Sequence, residues 1–239
     1  RIQDWIAKGN MRSDVAILYR SNAQSRILEE ALLRLQIPYR IYGGHRFYER
    51  LEIKNALAYL RLLMNRHDDA AFERVINTPT RGIGDKTVQR LRDTARANQQ
   101  SLWAAAETEV ENLPARASNA VRGFLAMVVE LAEDYQSLTL DGLTDQVLEA
   151  SGLLEFYRRE KGERGQTRVE NLEELINACR AYEAPDPDTP ALPQFIDEAV
   201  LDAGERQAES DEDAIQLMTL HSAKGLEFPL VFMAGMEEN

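Results

Sequence analysis

The hydrophobic pattern changes period twice along these 239 residues, and the two changes limit how the chain can fold. Residues 14–19, Asp-Val-Ala-Ile-Leu-Tyr, form a short apolar run rich in β-formers and read as a buried strand. Ser25 to Gln36 then carries apolar residues at helical spacing (Ile27, Leu28, Ala31, Leu32, Leu35), with Ser21 or Asn22 available as a cap. Pro38 stops that helix, Tyr39–Tyr42 is a second short strand, and Gly43-Gly44 turns the chain. Strand, helix, strand is the grammar of an α/β layer.

From about Phe47 the period becomes helical and stays so. Helices are expected over 53–64, 70–76, 86–98, 101–111, 115–135, 143–150, 153–160, 169–182 and 194–201. Pro185, Pro187, Pro190 and Pro193 mark a loop before the last of these. Strand grammar returns at 214–220 and 230–234. A layer that opens, is interrupted and resumes implies a mainly α chain, with a helical domain inserted into a partial α/β domain.

Composition narrows the partners. The 28 Lys and Arg against 40 Asp and Glu give a net charge of −12, which argues against general electrostatic binding of nucleic acid. The charge is unevenly placed: residues 183–213 hold eleven Asp or Glu and one Arg, whereas 80–96 hold five Lys or Arg and two Asp. The acidic stretch reads as a solvated loop or as a docking surface. The single cysteine, Cys179, excludes an intrachain disulfide and suits a reducing, cytoplasmic setting. No apolar run is long enough to span a membrane, so no membrane partner is expected. The chain opens Arg-Ile-Gln-Asp and stops after a strand-like segment, which reads as a piece of a longer polypeptide.

Three stretches offer chemistry. In residues 77–91 a helix ends near Pro79, Gly82-Ile83-Gly84 makes a tight turn, and a helix opens near Asp85. Glycines let a ligand approach the backbone, the first amides of a helix attract anions, and Lys86 and Arg81 add positive charge. The pattern resembles a helix-hairpin-helix that grips a DNA backbone; the plainer alternative is a turn between packed helices. The candidate DNA contacts are Thr80, Arg81, Gly82, Ile83, Gly84, Lys86 and Thr87. The second stretch follows the strand at 215–220, where His221, Ser222 and Lys224 could meet a phosphodiester and Glu227 a sugar hydroxyl, at the strand end where α/β sheets bind ligands. The third, Tyr19–Arg26, offers Asn22 and Arg26 to nucleic acid, or Ser21 and Asn22 merely as caps. His45, His67 and His221 have no partner at metal-ligand spacing.

Segments 16–26, 38–44, 47–55, 78–84, 165–175 and 217–228 together resemble the UvrD/Rep/PcrA-type superfamily 1 DNA helicases, in the same order along the whole chain. The resemblance implies that residues 1–44 and 212–239 belong to the RecA-like motor domain 2A and residues 45–211 to its inserted helical domain 2B. By it, 217–228 is motif V: His221, Ser222 and Lys224 face single-stranded DNA, and Glu227 faces the ribose of ATP. The Gly82–Gly84 turn would touch duplex DNA, Asn22 and Arg26 single-stranded DNA, and 2B is a place for repair-protein partners and autoinhibition. The implied activity is ATP- and Mg²⁺-dependent 3′ to 5′ unwinding in nucleotide excision and mismatch repair. Gly-x-x-x-x-Gly-Lys-[Ser/Thr] does not occur in these residues, so the chain alone is expected to be inactive and to hold no cofactor tightly.

Overall fold

The computed structural model describes residues 1–133, 135, 137–204 and 212–235, so the part of the acidic stretch at 205–211 lies outside the described residues. The chain divides into two compact units, one formed by residues 1–50 and 199–239 and the other by 51–198. Among the described residues no helix is long and apolar enough to cross a membrane.

The first unit holds a four-stranded parallel sheet: β1 (Val15–Tyr19), β2 (Tyr39–Ile41), β3 (Ile215–Thr219) and β4 (Leu230–Met233), in the order β2-β3-β1-β4. Ile17 pairs with Leu217 on one side and Phe232 on the other, so segments some 200 residues apart in sequence lie side by side. Two helices, α1 (Ile2–Ala7) and α2 (Ser25–Arg34), supply Ile2, Trp5, Leu28, Leu32 and Leu33 to a core with Val15, Ile17, Tyr19, Ile215 and Leu217. The carboxylate of Asp213 accepts from the backbone amides of Arg12 at 3.0 Å and Ser13 at 2.8 Å, which ties the returning chain beside β1.

The second unit is helical: α3 (Leu51–Met64), α4 (Asp69–Val75), α5 (Asp85–Asn98), α6 (Leu102–Glu109), α7 (Ala115–Glu133), α8 (Leu140–Ala150), α9 (Leu153–Arg158), α10 (Glu163–Ala181) and the first part of α11 (Ala191–Gly204). Ten of the fourteen residues of α3 are buried, the mark of a helix packed on every side. Phe72 meets Trp103 and Phe124 edge-on, with ring centroids 6.2 and 5.5 Å apart.

Several elements extend beyond the periodicity. Helix α10 starts at Glu163 rather than Val169, because Gly165 lets its turn pack on the Glu160 carbonyl where no side chain fits. Helix α11 starts at Ala191, since Pro193 falls in the first turn where its missing N–H costs nothing. Helix α8 begins at Leu140 because Thr139 caps it, its side chain accepting from the Gly142 amide at 3.3 Å.

Candidate nucleic-acid interface

The loop between α4 and α5 is built from its ends inward. Asn77 Oδ1 accepts from the backbone amides of Arg81 at 2.8 Å and Ile83 at 3.2 Å, closing the turn. Gly82 adopts φ +84°, a conformation that favours glycine. Ile83 is 1% exposed and plugs the turn into the helical core.

Arg81 is half-buried, and its guanidinium is taken up by protein acceptors. One guanidinium nitrogen donates to the carbonyls of Val75 and Pro79, both at 3.1 Å; the other donates to Tyr59 Oη at 2.7 Å and the Ser151 carbonyl at 2.8 Å. The same group lies over the rings of Tyr59 and Phe124. Burial pushes the Tyr59 phenol up to about 12 against the pull of this guanidinium. Arg81 and Ile83, both candidate DNA contacts, are engaged within the protein here: the donors of Arg81 bond protein acceptors and Ile83 is buried.

What remains outward is compact. Gly82, Gly84 and Lys86 are exposed and Thr87 is half-buried. Gly84 is the N-cap of α5 with φ −80° and ψ 170°, and no side chain caps that helix. A Cβ on Gly84 would meet nothing within 4 Å, so neither strain nor crowding requires glycine there. By contrast α4, α6 and α8 are capped by the side chains of Asp68, Ser101 and Thr139. The first amides of α5 thus face outward beside Lys86, a geometry suited to a phosphate. Thr80 is exposed elsewhere, lining an open cleft of about 710 Å³ with Phe156, Arg159 and Arg168.

In the sheet-bearing unit the strand ends converge. The Leu220 amide donates to the Tyr19 carbonyl at 2.9 Å, and the Tyr42 amide to the Leu217 carbonyl at 2.8 Å. The loops after β1, β2 and β3 therefore leave the same edge, the one where α/β sheets hold ligands. Residues 221–225 form successive turns: Ser222 N donates to Thr219 Oγ1 at 3.1 Å, the two hydroxyls lie 2.9 Å apart, and the Lys224 amide donates to the His221 carbonyl at 3.3 Å. His221, Lys224 and Glu227 are exposed and Ser222 half-buried.

The loop after β1 is braced from beneath. Ser21 and Gln24 form a capping box, so the capping use of Ser21 is observed. Glu29 is 4% exposed and accepts from Ser25 Oγ at 2.6 Å and the Phe47 amide at 3.1 Å. Arg50 donates to the Asn22 carbonyl at 2.9 Å and to Ser25 Oγ at 2.5 Å. Burial raises the Glu29 carboxyl above the usual range, opposed by Ser25, Arg50, the Phe47 amide and Arg46. Arg26 is 7% exposed and paired with Glu30 at 2.7 Å, and Asn22 is half-buried. Asn77, Glu29 and Arg50 were missed by sequence reasoning. Only Asn77 carried a signal, an Asn at a helix end before Thr-Pro.

The family of the UvrD-like helicase C-terminal domain matches residues 1–239. The chain belongs to that family. It is 55% identical over its full length to DNA helicase II of Escherichia coli, of which it covers 34%, and 54% identical to DNA helicase II of Salmonella typhimurium, again covering 34%. It is 39% identical over 97% of its length to the ATP-dependent DNA helicase PcrA of Staphylococcus epidermidis, covering 32% of that protein. The chain thus spans about a third of the length of these relatives.

The residues present do not fit a complete nucleotide site. Glu227 is an exposed carboxylate able to accept from sugar hydroxyls, but no glycine-lysine-serine/threonine phosphate loop occurs in the sequence. Among the described residues no three His, Cys, Asp or Glu converge as metal ligands.

Proposed function

We propose that this chain is the DNA-engaging part of an ATP-dependent, 3′ to 5′ DNA helicase that unwinds duplexes in nucleotide excision and mismatch repair in the cytoplasm. In this reading the helical unit is domain 2B and grips the duplex backbone at Gly82, Gly84, Lys86 and Thr87. The sheet-bearing unit is part of motor domain 2A. It offers Asn22, His221, Ser222 and Lys224 to single-stranded DNA and Glu227 to the ribose of ATP. Relatives named as DNA helicases support the class. ATP and Mg²⁺ serve the longer protein, and the chain alone hydrolyses no ATP; a metal-dependent ATPase signal above blank overturns that part.

The observation that carries the duplex grip is Gly84. A Ser or Asp at this N-cap would satisfy the first amides of α5 and add a few tenths of a kcal/mol of stability over glycine. Glycine forgoes that gain and leaves the amides open to an external anion. Anisotropy with a tailed duplex over a salt series, comparing the native chain with Gly84→Asp, tests this. The variant is expected to melt higher yet bind the duplex at least ten-fold more weakly, because its carboxylate occupies the amides and repels phosphate. Equal binding by the two proteins removes the grip from this turn.

A further inference from the structure

We propose that Arg116 is a second phosphate-contacting cation of the Gly82–Gly84 turn, completing the grip that Lys86 cannot form alone. The inference rests on the duplex-backbone reading of this turn and deepens it. Arg116 lies in the first turn of α7, more than thirty residues from Gly82 in sequence. In space its guanidinium lies across the bare Cα of Gly82: a Cβ there would sit 3.5 Å from Nε and 3.7 Å from Nη2.

The surrounding charges single Arg116 out. Arg81 has its donors spent on carbonyls and Tyr59. Lys86 shares the first turn of α5 with Asp85, which offsets its charge. Arg90 is paired with Glu109, Arg92 with Glu73, and Arg122, further along α7, with Glu111. Arg116 is exposed, and among the described residues no carboxylate or other acceptor engages it. An unpaired, planar five-donor group beside uncapped amides suits a phosphate oxygen pair. Its ligand here is the duplex phosphodiester, with no base preference.

The test measures duplex binding by the full chain across a salt series. The proteins are the native chain, Lys86→Ala, Arg116→Ala, Arg116→Lys and Arg122→Ala, each checked for an unchanged melting temperature. Removal of one phosphate-binding cation is expected to make the slope of log K against log salt shallower by about 0.9. Lys86→Ala and Arg116→Ala should each show that change, Arg116→Lys should recover most of it, and Arg122→Ala should match the native chain. If Lys86→Ala weakens binding and Arg116→Ala does not, the assignment of Arg116 fails while the grip stands. If Arg122→Ala matches Arg116→Ala, a general field is at work and the assignment also fails. If the native chain does not bind duplex, or neither Lys86→Ala nor Arg116→Ala changes the slope, the grip and Arg116 fall together.

Discussion

The two candidate DNA-facing loops are held in opposite ways. The turn at 80–87 is anchored from below by side chains reaching inward: Arg81 donates to three carbonyls and a phenol, Asn77 ties two amides, and Ile83 is sealed in the core. The turns at 220–227 rest mainly on local bonds from Thr219 and on turn amides, with exposed His221, Lys224 and Glu227 above. A loop fixed by a distant core keeps its shape whether or not a ligand is present. A loop fixed by its own hydroxyls can change shape at small cost. The first suits a static grip on duplex backbone; the second suits contacts that must be made and released as a strand moves.

The largest expected effect breaks the anchored loop. Arg81→Ala should destabilise the helical unit by about 2–3 kcal/mol, because it strips donors from three part-buried carbonyls and removes packing on Tyr59 and Phe124. Arg81→Lys should recover less than half of that, since one ammonium cannot span the same acceptors. In the same series, Asn77→Ala should cost about 1–2 kcal/mol by freeing the Arg81 and Ile83 amides. Urea unfolding followed at Trp103 in a Trp5→Phe background reads this unit alone, because the chain has two tryptophans and Trp103 is the buried one in the helical unit. Losses below about 0.5 kcal/mol across the series would mean that the turn is not anchored as its bonds imply.

This contrast also explains what could be read in the sequence. The alternation of strand and helix grammar was legible because each element carries its own period, and so was the return of the chain to one layer after a helical middle, whereas the pairing of β1 with β3 became visible only in the sheet. The outward half of the turn was legible too, since glycines and a lysine around a helix start are local signals. The direction of an arginine was not. Arg81 stands in a polar, glycine-rich setting that suggests solvent, yet its partners Ser151 and Tyr59 come from packing, whereas Glu30, the partner of Arg26, stands one turn on along α2 at a spacing the sequence shows. Conversely Arg116 reads as an ordinary helix residue until the fold lays it against Gly82. Spacing reveals pairs along one helix, as at Arg26 and Glu30, and packing reveals cations spent on distant partners, as at Arg81.

The smallest expected effect on stability sharpens the comparison from the other side. Lys224 is exposed and sits in a turn whose hydrogen bonds come from backbone and from Thr219, so Lys224→Ala should change stability by less than about 0.5 kcal/mol. Ser222→Ala should cost about 0.5–1 kcal/mol, because it removes the hydroxyl that bonds Thr219. Binding to single-stranded DNA should rank them the other way. Removing the Lys224 charge should make the salt slope shallower by about 0.7, the single-strand value for one phosphate, while Ser222→Ala leaves the slope unchanged. Stability and binding would then be carried by different residues of the same short turn. A turn in which the two quantities move together would instead be anchored like the one at Gly82, and the division between a static grip and a releasable contact would not hold.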